Sequence, residues 1–249
     1  YLREGEYTGR IQPRHSGKAD APITYKNYKG ETPIILGDIE TSKVSGSGRF
    51  SSVVLDTSHV VLDGLTISHA YRIPEVDMAD ILILGDHNTV KNCLVTQNPL
   101  DLVFMYNQGY KESGIVVNGK YNTIEDTTVE NLTWTLLAIQ GSARYTTVRN
   151  SKFITSARTI CTLGNPKGEF TGNLLDNNVF AGSLTADGIQ TAPDYDNPRS
   201  EWATDTSNRG YIIRNSLFMC NAENSLNLKS AKYVLVEGNV LTQSRGDNN

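Results

Sequence analysis

Ile213-Arg214-Asn215-Ser216-Leu217-Phe218 is one statement of a phrase this chain repeats: an aliphatic residue, in most copies a charged one, then Asn, Asp or Gly, with an apolar residue three positions later. The other copies are Leu62-Asp63-Gly64 to Ile67, Val90-Lys91-Asn92 to Val95, Ile124-Glu125-Asp126 to Val129, Val148-Arg149-Asn150 to Phe153, Leu175-Asp176-Asn177 to Phe180 and Val236-Glu237-Gly238 to Leu241. Their third residues stand at 64, 92, 126, 150, 177, 215 and 238, so the step runs from 23 to 38 residues. Self-similarity at such a period marks a solenoid.

The shortest units hold two or three strand-like stretches and leave no room for helices. A second apolar alternation, ending in a turn, precedes most copies, as in Ile81 to Gly85, Ile115 to Gly119, Leu137 to Gly141 and Ile160 to Gly164. Period-2 alternation rich in Val, Ile and Thr argues strands with one face buried. Several such strands per repeat make each repeat one coil of a parallel β-helix, and the L-x-x-L-x-L spacing of a leucine-rich repeat is absent. The expected class is all-β, a single-stranded parallel solenoid of about eight or more coils, on the order of 40 Å long at the parallel-strand spacing. Leu62, Val90, Ile124, Val148, Leu175, Ile213 and Val236 are expected to stack in one buried column, and Ile67, Val95, Val129, Phe153, Phe180, Phe218 and Leu241 in another. Asn92, Asn150, Asn177 and Asn215 read as a structural ladder at a turn that needs left-handed backbone angles.

Residues 1–249 read as one domain, since no linker-like run interrupts the repeats. The chain opens in mid-coil at Tyr1 and stops in mid-repeat at Asn249, so an N-terminal cap and a C-terminal end are expected to belong to a longer or processed protein. A net charge of −4 argues against a nucleic-acid partner, whose affinity rests on basic surface. No apolar run approaches membrane-spanning length. Cys93, Cys161 and Cys220 are scattered without a C-x-x-C pair, and Cys161 and Cys220 read as small core hydrophobes.

The opening Leu2 to Gly9, followed by Ala21-Pro22-Ile23-Thr24-Tyr25 and Gly30 to Ile35, resembles the first coils of secreted right-handed parallel β-helix proteins of the pectate lyase-like superfamily. That resemblance implies the right hand, an extracellular or periplasmic place and polysaccharide as partner. It leaves the reaction open, because the superfamily holds lyases, hydrolases, epimerases and adhesins.

Function is expected where the repeat is broken. Three insertions stand out: Ser68 to Met78, Gln97 to Ser113, and residues 191–210 with Tyr195 and Trp202. Alternation with inward Ile189, Leu226 and Leu228 places Gln190, Asn227 and Lys229 outward, with Gln140, Asn118 and Arg158 as stack neighbours. Amides that bond hydroxyls beside Tyr195 and Trp202, whose rings stack on sugar faces, make a candidate groove.

Cleavage of a uronate-containing glycan by β-elimination needs a base and a neutralised substrate carboxylate. Lys229 and Arg199 are the catalytic candidates, and the resemblance points to Lys229 as base. Asp187, Asp194 and Asp196 are the candidate ligands for Ca²⁺, with Glu201 and Asp205 nearby. Two alternatives stay open: a glycoside hydrolase pairing Asp187 with Asp194, Asp196 or Glu223, and a non-enzymatic adhesin or structural repeat.

Overall fold

The computed structural model describes residues 1–37, 43–44, 49–69, 73–97, 101–164, 170–191, 208–229 and 231–242. Each copy of the phrase turns a corner between two strands, so that Val60–Asp63 leads to Thr66–His69, Thr89–Lys91 to Leu94–Thr96, and Thr147–Arg149 to Lys152–Ser156. A third strand, such as Asp77–Ile83, Lys111–Val117 or Cys161–Leu163, completes the coil. Stacked coils form three sheets, here numbered in the order the chain visits them within a coil. Sheets 1 and 2 hold nine described strands each and sheet 3 holds seven, paired in parallel with their neighbours one coil away. This is the expected parallel β-helix.

Both columns form. Leu62, Val90, Ile124, Val148, Leu175 and Ile213 are fully buried, as are Ile67, Val95, Val129, Phe153, Phe180 and Phe218, whose three phenyl rings stack at 5.4 and 5.1 Å. Val236 and Leu241 depart from the expectation, at 39% and 53% exposure, because no described coil lies beyond theirs to cover them.

The turn between sheets 1 and 2 explains the third residue of the phrase. Asn92, Asp126, Asn150, Asn177 and Asn215 all have φ between 50° and 54° or 55°, and Gly64 and Gly238 lie at 72° and 62°. Asn and Asp tolerate this region far better than β-branched residues do. The residue that follows carries a second, buried ladder. Ser151 Oγ accepts the Thr127 N–H, Asn178 Oδ1 accepts that of Ser151, Ser216 Oγ that of Asn178, and Asn239 Oδ1 that of Ser216. Each coil thus satisfies a backbone donor of the coil before it, which a buried turn requires.

The charged residue of the phrase faces outward on sheet 1, and the register aligns Lys26, Asp63, Lys91, Glu125, Arg149, Asp176, Arg214 and Glu237 in one row. Their signs alternate at every step. Lys26 meets Asp63 at 2.9 Å and Arg214 meets Asp176 at 2.9 Å, while Arg149 makes two hydrogen bonds to one Glu125 oxygen.

At the corner from sheet 3 back to sheet 1, His59, His87, Tyr121 and Tyr145 stack at 4.9 to 5.0 Å, each with φ between 53° and 57°. Gly85 and Gly119 stack at the same corner, where a Cβ on Gly119 would fall 2.0 Å from the Gly85 carbonyl oxygen. Among the described residues the coils carry no helix, but the second insertion does: Leu102–Asn107, capped by Asp101, whose Oδ1 accepts the Phe104 N–H. Cys161 is buried as expected, whereas Cys220 is exposed, since it lies just past the strand Leu217–Met219 at a turn with φ of 56°.

Candidate functional site

Each of the three insertions begins or ends on a strand of sheet 3. The first two connect Thr66–His69 to Asp77–Ile83 and Leu94–Thr96 to Lys111–Val117, reaching the sheet at its leading edge. The third leaves from Ile189–Thr191 at the trailing edge and rejoins the coil at Asn208–Arg214 of sheet 1. The first two are tied into one wall, for the Glu75 N–H donates to Gly109 O at 2.9 Å and Lys111 Nζ lies 3.5 Å from Glu75 Oε2.

Register defines an outer row on sheet 3: Val54, Leu82, Val116, Ala138, Thr162, Gln190 and Asn227. Its first four members are buried in a cluster with Val44, which belongs to the link between Pro33–Gly37 and Phe50–Leu55. From Thr162 onward the row is polar and half-exposed. Half of this face is therefore covered and half is open.

The open half holds several of the expected residues. Thr159 Oγ1 donates to Gln190 Oε1 at 3.4 Å, which turns the Gln190 amide N–H groups outward as donors. Asn227 Nδ2 donates to Asp187 Oδ2 at 2.8 Å and leaves its carbonyl oxygen as an acceptor. Lys229 is exposed, two residues past Asn227 on the same side, and its carbonyl accepts the Thr191 hydroxyl at 2.6 Å. Gln140, two residues past Ala138, shares that second row but stands three coils away, roughly 14 Å at the parallel-strand spacing.

Arg158 lies at the leading edge, its Cζ 4.1 Å from the centre of the Trp134 ring. Tyr106, from the insertion helix, packs on the same indole at 5.7 Å. Trp134 was not among the expected residues, because it falls in a short corner and outside every insertion.

Asp187 is placed differently from its expected role. It is 1% exposed; Oδ1 accepts the Asn224 backbone and side-chain N–H groups and Oδ2 accepts from Asn227. Both oxygens serve amides that pin one coil's corner to the next, so it does not fit as a calcium ligand. Tyr195, Asp194, Asp196, Arg199 and Trp202 lie outside the described residues. Among the described residues no group of three or more His, Cys, Asp or Glu side chains is arranged for a metal ion.

The family model for the right handed beta helix region matches residues 79–248. The chain belongs to that family. This right-handed β-helix is similar in structure to pectate lyase Pel9A, with TM-score 0.57 at 13% identity over 100% of this chain and 69% of that one. It is similar also to an alginate lyase from Paenibacillus sp. str. FPU-7, with TM-score 0.54 at 12% identity over 97% of this chain and 90% of that one. No curated protein matches it in sequence. No helix among the described residues is long and apolar enough to cross a membrane.

The β-helix also holds a buried ionic cluster beneath the roots of the first two insertions. His69 Nδ1 lies 2.6 Å from both Asp80 Oδ1 and the Gln97 amide, and His69 Nε2 lies 3.4 Å from Glu112 Oε1; an imidazolium, which only donates, requires that amide to turn its oxygen to the ring. Burial by itself would push His69 down, but the charges of Asp80 and Glu112 and their hydrogen bonds together outweigh it and hold the imidazole up at about 9. Burial raises the Asp80 carboxyl above its ordinary value despite the imidazolium beside it. The cluster fastens the insertion wall to the coil. The sequence signal for it was an acid within each of two sheet 3 strands, Asp80 and Glu112, ahead of the apolar residues that end each strand.

Proposed function

We propose that this β-helix is a secreted or cell-surface enzyme that cleaves a uronate-containing polysaccharide by β-elimination on the open face of sheet 3. The observation that carries the reading is that each of the three insertions joins a strand of this one sheet, two at strands of its covered apolar half and one at a strand of its open polar half. Two other concavities, about 850 Å³ near Asn27, Gly64 and Asn92 and about 690 Å³ near Arg10, Arg14 and Asp56, lie away from it. A linear polymer needs an open surface, and the polar half of this sheet, beside the wall of the first two insertions, offers one. Pectate and alginate lyases among the structural neighbours support the choice of reaction class.

Elimination removes the proton on the carbon next to the carboxylate, forms a double bond to the neighbouring carbon and expels the glycosidic oxygen, which then takes up a proton. Lys229 is the base that takes that proton. Arg199 meets the developing negative charge, Tyr195 and Trp202 stack on sugar rings, and Gln190, Asn227, Gln140 and Arg158 hold the polymer. Calcium held through Asp194 and Asp196 would withdraw electrons from the substrate carboxylate, and no step is assigned to it. The hydrolase alternative is the weaker one, because every candidate carboxylate pair included Asp187, whose two oxygens are taken by the amides of Asn224 and Asn227.

The test is a panel of alginate, polygalacturonate and neutral glycans, followed by absorbance from unsaturated ends and by reducing sugar. Both signals should rise on a polyuronate, and Lys229→Met should lower the rate about 10²-fold or more, the scale of general base catalysis. Reducing ends without absorbance would make the protein a hydrolase. Binding without cleavage would make it an adhesin.

A further inference from the structure

We propose that Arg158, held over the ring of Trp134, is the specificity-determining residue of this groove and reads an ionised carboxylate on the polymer. The inference rests on the polysaccharide reading of the sheet 3 face.

The arginines of the β-helix differ in what they meet. Arg3, Arg149 and Arg214 each pair with a carboxylate, on Glu31, Glu125 and Asp176. Arg158 makes no ion pair among the described residues, and its guanidinium sits 4.1 Å above the centre of the Trp134 ring. The acid that could have taken it, Asp187 at the same corner one coil on, has given both oxygens to the amides of Asn224 and Asn227. A cation–π contact uses none of the guanidinium N–H groups, and among the described residues none of them is hydrogen-bonded, so the fork that binds a carboxylate by two parallel bonds is left to a ligand.

Trp134 supplies more than attraction. It is packed by Tyr106 from the insertion helix, so the cation rests on a platform that is itself fixed. A guanidinium held in one orientation loses little further freedom on binding, which raises affinity without new contacts. The neighbouring residue, Thr159, is bonded to Gln190. The carboxylate reader and the hydroxyl-binding amide row therefore share one short support, and a uronate residue in the trough meets both.

The test measures binding of alginate and polygalacturonate, each against its carboxyl-reduced neutral counterpart, at fixed ionic strength. Wild type, Arg158→Gln, Arg158→Lys and Trp134→Leu are compared, with melting curves to show that each is folded. Wild type should bind a polyuronate at least about tenfold tighter than the reduced polymer, the worth of one hydrogen-bonded charge contact. Arg158→Gln should bring that ratio below about threefold, lowering affinity for the polyuronate several times more than for the reduced polymer, whereas a merely structural role would lower both alike. Arg158→Lys should give an intermediate ratio, because it keeps the charge but not the fork. Trp134→Leu should lower the ratio with Arg158 still present, and these last two variants carry the test should Arg158→Gln fail to fold. A folded Arg158→Gln that keeps the full ratio overturns the inference. Equal wild-type affinity for charged and reduced polymers overturns it and leaves the polysaccharide reading standing, whereas no binding to any glycan overturns both.

Discussion

Raising the pH from 5.5 to 8.5 should destabilise this protein through one buried imidazole. His69 is held up at about 9 in the fold, against an ordinary value of 6.5. Between those values the folded state binds a proton that the unfolded chain releases, so stability is full below 6.5 and falls as pH climbs towards 9. Integrating the His69 difference over this range gives a loss of about 2 to 3 kcal/mol. The group is almost wholly buried, so solvent does little to screen the effect. Urea unfolding at both pH values reads the loss directly, and His69→Gln should abolish most of it, leaving a variant less stable at pH 5.5 and nearly indifferent to pH. An unchanged midpoint in the wild type, or an equal pH slope in His69→Gln, would refute the reasoning. The stop at pH 8.5 keeps the buried Cys93 thiol, pushed up to about 11, out of the measurement.

Ile213→Ala should cost about 2–4 kcal/mol by leaving a cavity in a fully buried column, read as a lower unfolding midpoint with an unchanged slope. Asp187→Asn should lose about 1–3 kcal/mol, because an amide N–H would then face the Asn224 and Asn227 donors, with the response of the enzyme to calcium unaltered. The opposite pattern, full stability with calcium dependence lost, would make Asp187 a ligand after all. Arg149→Glu should lower the melting temperature, and added salt should recover part of the loss, since the new acid would sit between Glu125 and Asp176.

The repeat was legible because period and parity are properties of the chain itself. Asn150 and Phe153 could be assigned to a turn and a core without knowing what they touch. The ladder behind the turn, through Ser151, Asn178 and Ser216, was not legible, since these residues are polar and a polar residue beside a turn ordinarily faces water. Outward placement of Gln190 and Asn227 followed from alternation, and the structure keeps them together. Asp187 misled because acidity is visible in a sequence while the amides that neutralise its ligand capacity arrive from another coil. Trp134 and Arg158 show the same limit, for they are 24 residues apart and meet only because coils stack.

The alternating row on sheet 1 restricts how such a rod could change its length. Remove one coil, say the one carrying Arg149, and Glu125 would face Asp176; duplicate it, and two arginines would meet. Excise or duplicate two adjacent coils and opposite signs still follow one another along the whole row. A lineage of these solenoids that keeps the row intact would therefore grow and shrink by even steps, and an odd step would be betrayed by a reversal of charge in every coil on one side of the join.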